Sequence, residues 1–207
     1  MIYHDGNIMA ANRGDDLRGA PFWIDVDDSG GIDKAYKLLS GLENHALEQA
    51  VGSAIKRAAM RGRTVGAKLA TERYAIGQNV LKRYTKWYNH KAYFSSGSFG
   101  WVFGYRGYLI PLSHYDTTVG SDGRVHTRVL KTSPKKILDH AFRSTGMAYN
   151  RIRERVGQDR YPTRELFGPS PVEALILNED KVESAVLDEF DQRIDHEILR
   201  ILNGWGI

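Results

Sequence analysis

The C-terminal stretch constrains this chain most. Val182, Val186, Phe190, Ile194, Ile198 and Ile201/Leu202 recur at steps of three or four residues. An α-helix with one buried face sets such a ladder on a line; a strand does not. Asn203-Gly204 follows, a good stop because glycine takes the left-handed conformation that closes a helix. The acids fall off the ladder. From Glu179 to Glu197 there are eight Asp/Glu, with Lys181 and Arg193 as the only bases.

A second helical pattern stands near the other end. From Asp33 to about Arg73, Ala35, Leu38/Leu39, Leu42, Ala46, Ala50, Ala54 and Ala58 recur at three- and four-residue steps, with Leu47, Val51 and Ile55 beside them. The stripe is rich in alanine, so close packing against a neighbour is expected. Gly41, Gly52, Gly62 and Gly66 each weaken a helix by about 1 kcal/mol relative to Ala; they read as bends or as close approaches, and a break near Gly62 to Gly66 is one outcome the pattern allows. Ser29 or Asp33 would cap the start, and "YAIGQNVLKRY" reads as a short second helix. This end is basic: Lys56 to Lys91 holds ten Lys/Arg and one acid, Glu72.

Between the helices the composition changes. "KWYNHKAYFSSGSFGWVFGYRGYLIPLSHY" is dense in aromatics and glycine, with turn signals at "SSGS", "YRGY" and "SDGR". Short antiparallel strands fit best. Ser121-Asp122-Gly123 is a hairpin turn into "RVHTRVL", where Val125, Thr127 and Val129 oppose His126, Arg128 and Leu130. "AFRST" and "NRIRERVG" are further strands; in the latter Ile152 and Glu154 face one way and Arg151, Arg153 and Arg155 the other. Residues 1–31 read as an irregular arm rich in Gly, Asp and Asn, with room for one short strand in which Phe22, Ile24 and Val26 alternate against Trp23, Asp25 and Asp27. The sum is an α+β protein: an antiparallel sheet of short strands covered by a long N-terminal helix and a C-terminal amphipathic helix, as a single domain over 32–207.

Three of the six prolines lie in "YPTRELFGPSP", Tyr161 to Pro171. A residue before proline is pushed to extended backbone, so Tyr161, Gly168 and Ser170 are extended. Ser170 suits an N-cap, and Pro171 the first helical position. Pro162, Arg164, Glu165, Phe167, Gly168 and Pro169 thus read as a rigid strand-to-helix corner. Arg164 and Glu165 are adjacent, point opposite ways in an extended chain, and need separate partners.

Reactive constellations are scarce. With no cysteine, disulfides, thiolate metal sites and cysteine nucleophiles are excluded, and a reducing cytoplasm fits. None of the seven histidines is paired at metal-ligand spacing. No cofactor is implied: "GSFGWVFG" lacks the Lys-Ser/Thr of a phosphate loop, and its glycines read as bulges or turns. Ser113, His114 and Asp116 lie together in "SHYD", but a triad is made by spatial geometry and not by closeness in sequence. No apolar run reaches membrane-spanning length, and "MIYHDGNIMAANRGDD" does not read as a secretory signal.

Two binding readings remain for the charges. The basic face carrying Lys56, Arg57, Arg61 and Arg63, with aromatics such as Trp87, Tyr88, Tyr93, Phe94, Phe99, Trp101, Phe103, Tyr105 and Tyr108 nearby, could hold nucleic-acid phosphates and stack bases. Alternatively the aromatics fill a sheet face or subunit contact, and the basic face meets an acidic one. Its partner would be the face carrying Glu183, Asp188, Asp191 and Asp195, either within the chain or between copies. Net charge is +4, a mild lean toward anionic partners.

"YPTRELFGPS" followed by an acidic amphipathic helix resembles the phage minor tail protein Z family, the tail-completion proteins of tailed bacteriophages. "ALEQAVGSAIKRAAMRGRTVGAKLATERYAI" resembles that family's alanine-rich basic helix, and "AIGQNVLKRY" its short second helix. The likeness covers roughly residues 40–205; the 1–31 arm and the aromatic "WVFGYRGYL" depart from it. The resemblance implies a non-enzymatic virion protein, made in the host bacterial cytoplasm and placed at the head-proximal end of the tail. It also implies self-association as a ring, a hexamer from tail symmetry. A tail tube or terminator protein and a neck or head-completion protein would be its partners, with DNA passing through the channel.

Overall fold

The computed structural model describes residues 9–11, 22–26, 30–39, 41, 46–95, 98–144 and 150–204; for 9–11, 25, 88–95 and 98–101 it describes the backbone alone. The elements in chain order are β1 (Met9–Ala11), β2 (Phe22–Asp25), α1 (Gly31–Leu39), α2 (Ala46–Arg73), α3 (Gln78–Tyr84), β3 (Thr85–Ser95), β4 (Ser98–Gly107) and β5 (Ile110–Pro111). After a 3₁₀ turn at Leu112–His114 come β6 (Asp116–Val119), β7 (Val125–Arg128), β8 (Lys136–Leu138), β9 (Ala141–Arg143), β10 (Ile152–Arg155), β11 (Thr163–Gly168), α4 (Pro171–Ile176) and α5 (Glu179–Leu202). The protein is α+β, with antiparallel strands between long helices. The strands sort into three sheets: β1-β11-β10-β9 with β5 also on β11, β2-β4-β3, and β6-β7-β8.

The chain gathers into two compact units. One holds 1–20, 67–86 and 106–177; the other holds 21–66, 87–105 and 178–207. The units interleave along the sequence, so neither coincides with the 1–31 arm. Of that arm, residues 9–11 form a strand on β11 and 22–25 one on β4. Ser29 as a helix cap lies outside the described residues.

In the second unit, β2 alternates as its sequence implies: Phe22, Ile24 and Val26 are buried and Trp23 is exposed. The glycine opposite Trp23 is neither bulge nor turn. Gly104 lies within β4, and a Cβ there would come 2.6 Å from the Trp23 ring, which covers the bare backbone. α2 buries Ala50, Val51, Ala54, Ile55, Ala58 and Ala59; α5 buries Val182, Val186, Phe190, Ile194, Ile198 and Ile201, with Leu202 exposed. Between Asp33 and Arg73 the helical stretch is interrupted after Leu39, and α2 runs unbroken through Gly62 and Gly66. Packing explains why. A Cβ on Gly62 would collide with the Tyr105 hydroxyl and Val186 Cγ2. The glycine lets α2 approach both β4 and α5, which offsets its weak helix propensity. The Tyr105 hydroxyl then donates to the Ala59 carbonyl at 2.6 Å.

The first unit has a core of larger residues. Tyr74, Ile76, Leu81, Ile110, Leu112, Tyr115, Val125, Ile152 and Leu166 pack with Ala67, Ala70 and Ala174. The β6–β7 hairpin closes as expected. Gly120 N–H donates to Arg124 O at 2.9 Å, Gly123 takes φ +77°, and Val125, Thr127 and Val129 face inward.

Candidate functional site

The Tyr161–Pro171 stretch is less a corner than the middle of a sheet. Arg164, Glu165, Phe167 and Gly168 lie in β11, which pairs with β1, β10 and β5. The turn itself is confined to Pro169 and Ser170, and Pro162 follows a cis peptide bond ahead of the strand. Strand geometry sends Arg164 and Glu165 to opposite faces, and each finds its own partner on or beside β10. Arg164 Nε donates to Glu154, directly opposite in the ladder; Arg151 donates to Glu165 Oε2 at 2.8 Å. A Cβ on Gly168 would strike the Tyr115 ring, whose hydroxyl donates to Pro169 O at 2.9 Å. Burial pushes the Tyr115 hydroxyl well above its ordinary range, so it stays a neutral donor.

α4 starts where its residues suggest, with Ser170 at the N-cap and Pro171 in the first turn, but the capping differs. The Ser170 hydroxyl makes no cap bond; instead its backbone N–H serves the Glu173 carboxylate, one half of a capping box. Burial raises the Glu173 carboxyl above its usual range, and that N–H draws it partway back. The signal for this partner was the Ser-x-x-Glu spacing from Ser170 to Glu173.

All eight charged residues proposed for association fall in the second unit. Lys56, Arg57 and Arg61 are exposed on α2; Asp188, Asp191 and Asp195 are exposed on α5. Arg63 and Glu183 are half-buried, and the Arg63 Nε is enclosed without a hydrogen-bond partner. Asp195 is already bridged to Lys34 of α1 at 2.6 Å. Burial, then the neighbouring Asp188 and Asp195, raise the Asp191 carboxyl.

The Ser-His-Asp grouping is not assembled. His114 Nε2 faces the Tyr84 hydroxyl at 3.2 Å, whereas Asp116 is held by Arg128 and Lys135 at 2.7 and 2.8 Å. Lys135 first, then Arg128, hold its carboxyl below the usual range. Burial and the Arg83 charge lower the His114 ring. Among the described residues no His, Asp and Glu cluster could hold a metal ion, and no helix is long and apolar enough to cross a membrane. Of the aromatics weighed for base stacking, Phe103 and Tyr105 are buried. The side chains of Tyr88, Tyr93, Phe94, Phe99 and Trp101 lie outside the described residues.

A groove that the sequence reading missed lies elsewhere in the first unit. It encloses about 450 Å³ and is lined by Phe142, Arg143, Ser144, Arg153, Arg155, Arg160, Tyr161 and Thr163. Pairing of β9 with β10 and β10 with β11 brings these together: Phe142 stands opposite Arg153, and Arg155 opposite Thr163. The alternating arginines of "RIRERV" and the strand at "AFRST" were the available signals; the pairing that sets them side by side was not legible.

No family model, curated protein or solved structure matches the chain.

Proposed function

We propose that the chain is a structural virion protein that works by assembly and without catalysis. It sits at the head-proximal end of a phage tail, completes the tail, and helps join it to the neck as an oligomeric ring. Its partners are further copies of itself, the tail tube or terminator protein, and the neck or head-completion protein. One observation carries the reading. α2 and α5 bury their apolar faces inside the second unit yet leave charges of opposite sign exposed, Lys56, Arg57 and Arg61 on one helix and Asp188 and Asp191 on the other. A basic patch and an acidic patch at different places on one chain favour head-to-tail contacts, and such contacts close into rings when the rotation closes. The resemblance of "YPTRELFGPS" and the helices flanking the strands supports the tail location.

The test is a mixing experiment read by native mass spectrometry at low salt. The wild-type chain should form one closed oligomer, with six copies the expectation. Arg57→Glu with Arg61→Glu should abolish it, as should Asp188→Lys with Asp191→Lys, and mixing the two double variants should recover mixed oligomers. Assembly indifferent to both pairs would overturn the interface. Purified particles lacking the chain would overturn the location.

A further inference from the structure

We propose that the arginine groove of β9, β10 and β11 is a contact site for single-stranded nucleic acid, with arginines on phosphate and Tyr161 as a shelf for a base. The proposal goes beyond the assembly reading and stands whether or not the chain forms a ring.

The groove concentrates charge of one sign. Arg143, Arg153, Arg155 and Arg160 line it, and no lining residue carries a carboxylate. Glu165, across the ladder from Arg153, has Oε2 on Arg151 and Oε1 buried without a hydrogen-bond partner. Glu154 is committed to Arg164. Among the described residues, no carboxylate forms a salt bridge with Arg143, Arg153, Arg155 or Arg160.

Two of the arginines are already oriented. Arg153 donates from Nε to the Thr163 hydroxyl at 3.0 Å and from a terminal nitrogen to Thr163 O at 2.9 Å. A guanidinium has five N–H donors, so most of its fork stays available. The Arg155 guanidinium lies 5.8 Å from the centre of the Phe142 ring, and the residue is exposed. Holding these side chains in advance lowers the ordering cost of binding. A planar fork suits phosphate oxygens bidentately.

The aromatic lining decides between classes of anion. A carboxylate segment of another protein would satisfy the arginines but has no use for a flat exposed ring. Tyr161 is 69% exposed, with the Arg160 guanidinium 5.7 Å from its ring centre. Phosphate-binding cations beside an open aromatic face are the two parts of a single-strand site, since every base has a face to stack. Space for about 450 Å³ suits a short piece of strand. The basic face of α2 belongs to the other unit.

The experiment is fluorescence anisotropy of the full-length chain with a labelled oligothymidylate of about ten nucleotides. Binding should weaken with salt, with log K against log salt falling by roughly 0.7 per phosphate neutralised. Arg143→Glu with Arg160→Glu, both off the Thr163 hydrogen bonds, should weaken binding at least tenfold while thermal unfolding stays unchanged. Tyr161→Ala should weaken it by about five- to hundredfold, the range for one stacked base. Lys131→Glu with Lys136→Glu, exposed cations outside the groove and the proposed interface, should leave affinity within about twofold. Thymidine monophosphate should compete only at far higher concentration. The proposal is overturned by no binding at low salt, or by binding that the groove variants leave unchanged. It is overturned also by a mononucleotide as tight as the oligomer, or by an oligoglutamate peptide that holds the groove better than the strand does.

Discussion

Both units bury a tyrosine whose hydroxyl donates to a backbone carbonyl, and both place a glycine where the tyrosine comes in. In the second unit Tyr105 reaches Ala59 O, with Gly62 making room. In the first, Tyr115 reaches Pro169 O, with Gly168 making room. The surroundings differ. Gly62 is mid-helix, where its backbone conformation suits any residue and its cost is entropic. What crowds it are the ends of two side chains, the Tyr105 hydroxyl and a Val186 methyl. Gly168 ends a strand that is bonded to three others, and Cε2, Cζ and the hydroxyl of Tyr115 lie against it. Gly62 is thus crowded by side chains from β4 and α5, whereas Gly168 is crowded by one ring.

The largest effect expected is in the helical unit's core. Phe190 is fully buried and lies against the start of α1 at Gly31. Phe190→Ala should cost about 3–5 kcal/mol, read from the urea midpoint at constant slope. A loss below about 1 kcal/mol would mean that this face of α5 is not the core that its ladder makes it.

The glycine pair tests the comparison directly. Gly168→Ala should cost about 1–3 kcal/mol, because the ring and its hydroxyl bond must shift. Gly62→Ala meets only side-chain ends and regains about 1 kcal/mol of helix propensity, so its net cost should be clearly smaller. Equal losses in thermal unfolding would erase the distinction drawn between the units.

The smallest effects are titrations. Glu173, in the sheet unit, is raised by burial above the ordinary carboxyl value of 4.5. A raised acid binds its proton more tightly when folded. Its contribution is therefore full below pH 4.5 and is lost as pH rises through the folded value. Glu173→Gln should gain stability relative to wild type across that window and match it at lower pH, with little dependence on salt. Asp191, in the helical unit, is raised from 3.8 by burial and then by Asp188 and Asp195. Asp191→Asn should show the same sign, but its gain should shrink in high salt because part of it is repulsion at the surface. Gains of equal salt dependence would remove the contrast.

Much of this was open to a reading of the residues. The Val182–Ile201 ladder, the Ser121-Asp122-Gly123 hairpin, the alternation at Phe22–Val26 and the separate partners required by Arg164 and Glu165 depend on local period or chain direction. Other features depended on what arrives from far along the chain. Gly62 looks like a place for a helix to break, because helix propensity counts only its own backbone. The arriving Tyr105 and Val186 decide otherwise. The Pro162–Pro169 segment looks like a corner because its prolines and glycine punctuate. The ladder bonds from β1, β5 and β10 make most of it a strand.

By itself, then, the sequence determined the α+β class, the faces of α2 and α5 that are buried, and the positions of opposite charge, since each follows from spacing along one helix or strand. Tertiary structure alone decided that the described strands divide among three sheets, which side chains press against Gly62, Gly104 and Gly168, and that Arg143, Arg153, Arg155 and Arg160 share one groove. The physical reason is register. Cross-strand neighbours are set by hydrogen-bonded pairing between distant segments, and a one-residue slip of β10 would send Arg153 and Arg155 to the other face.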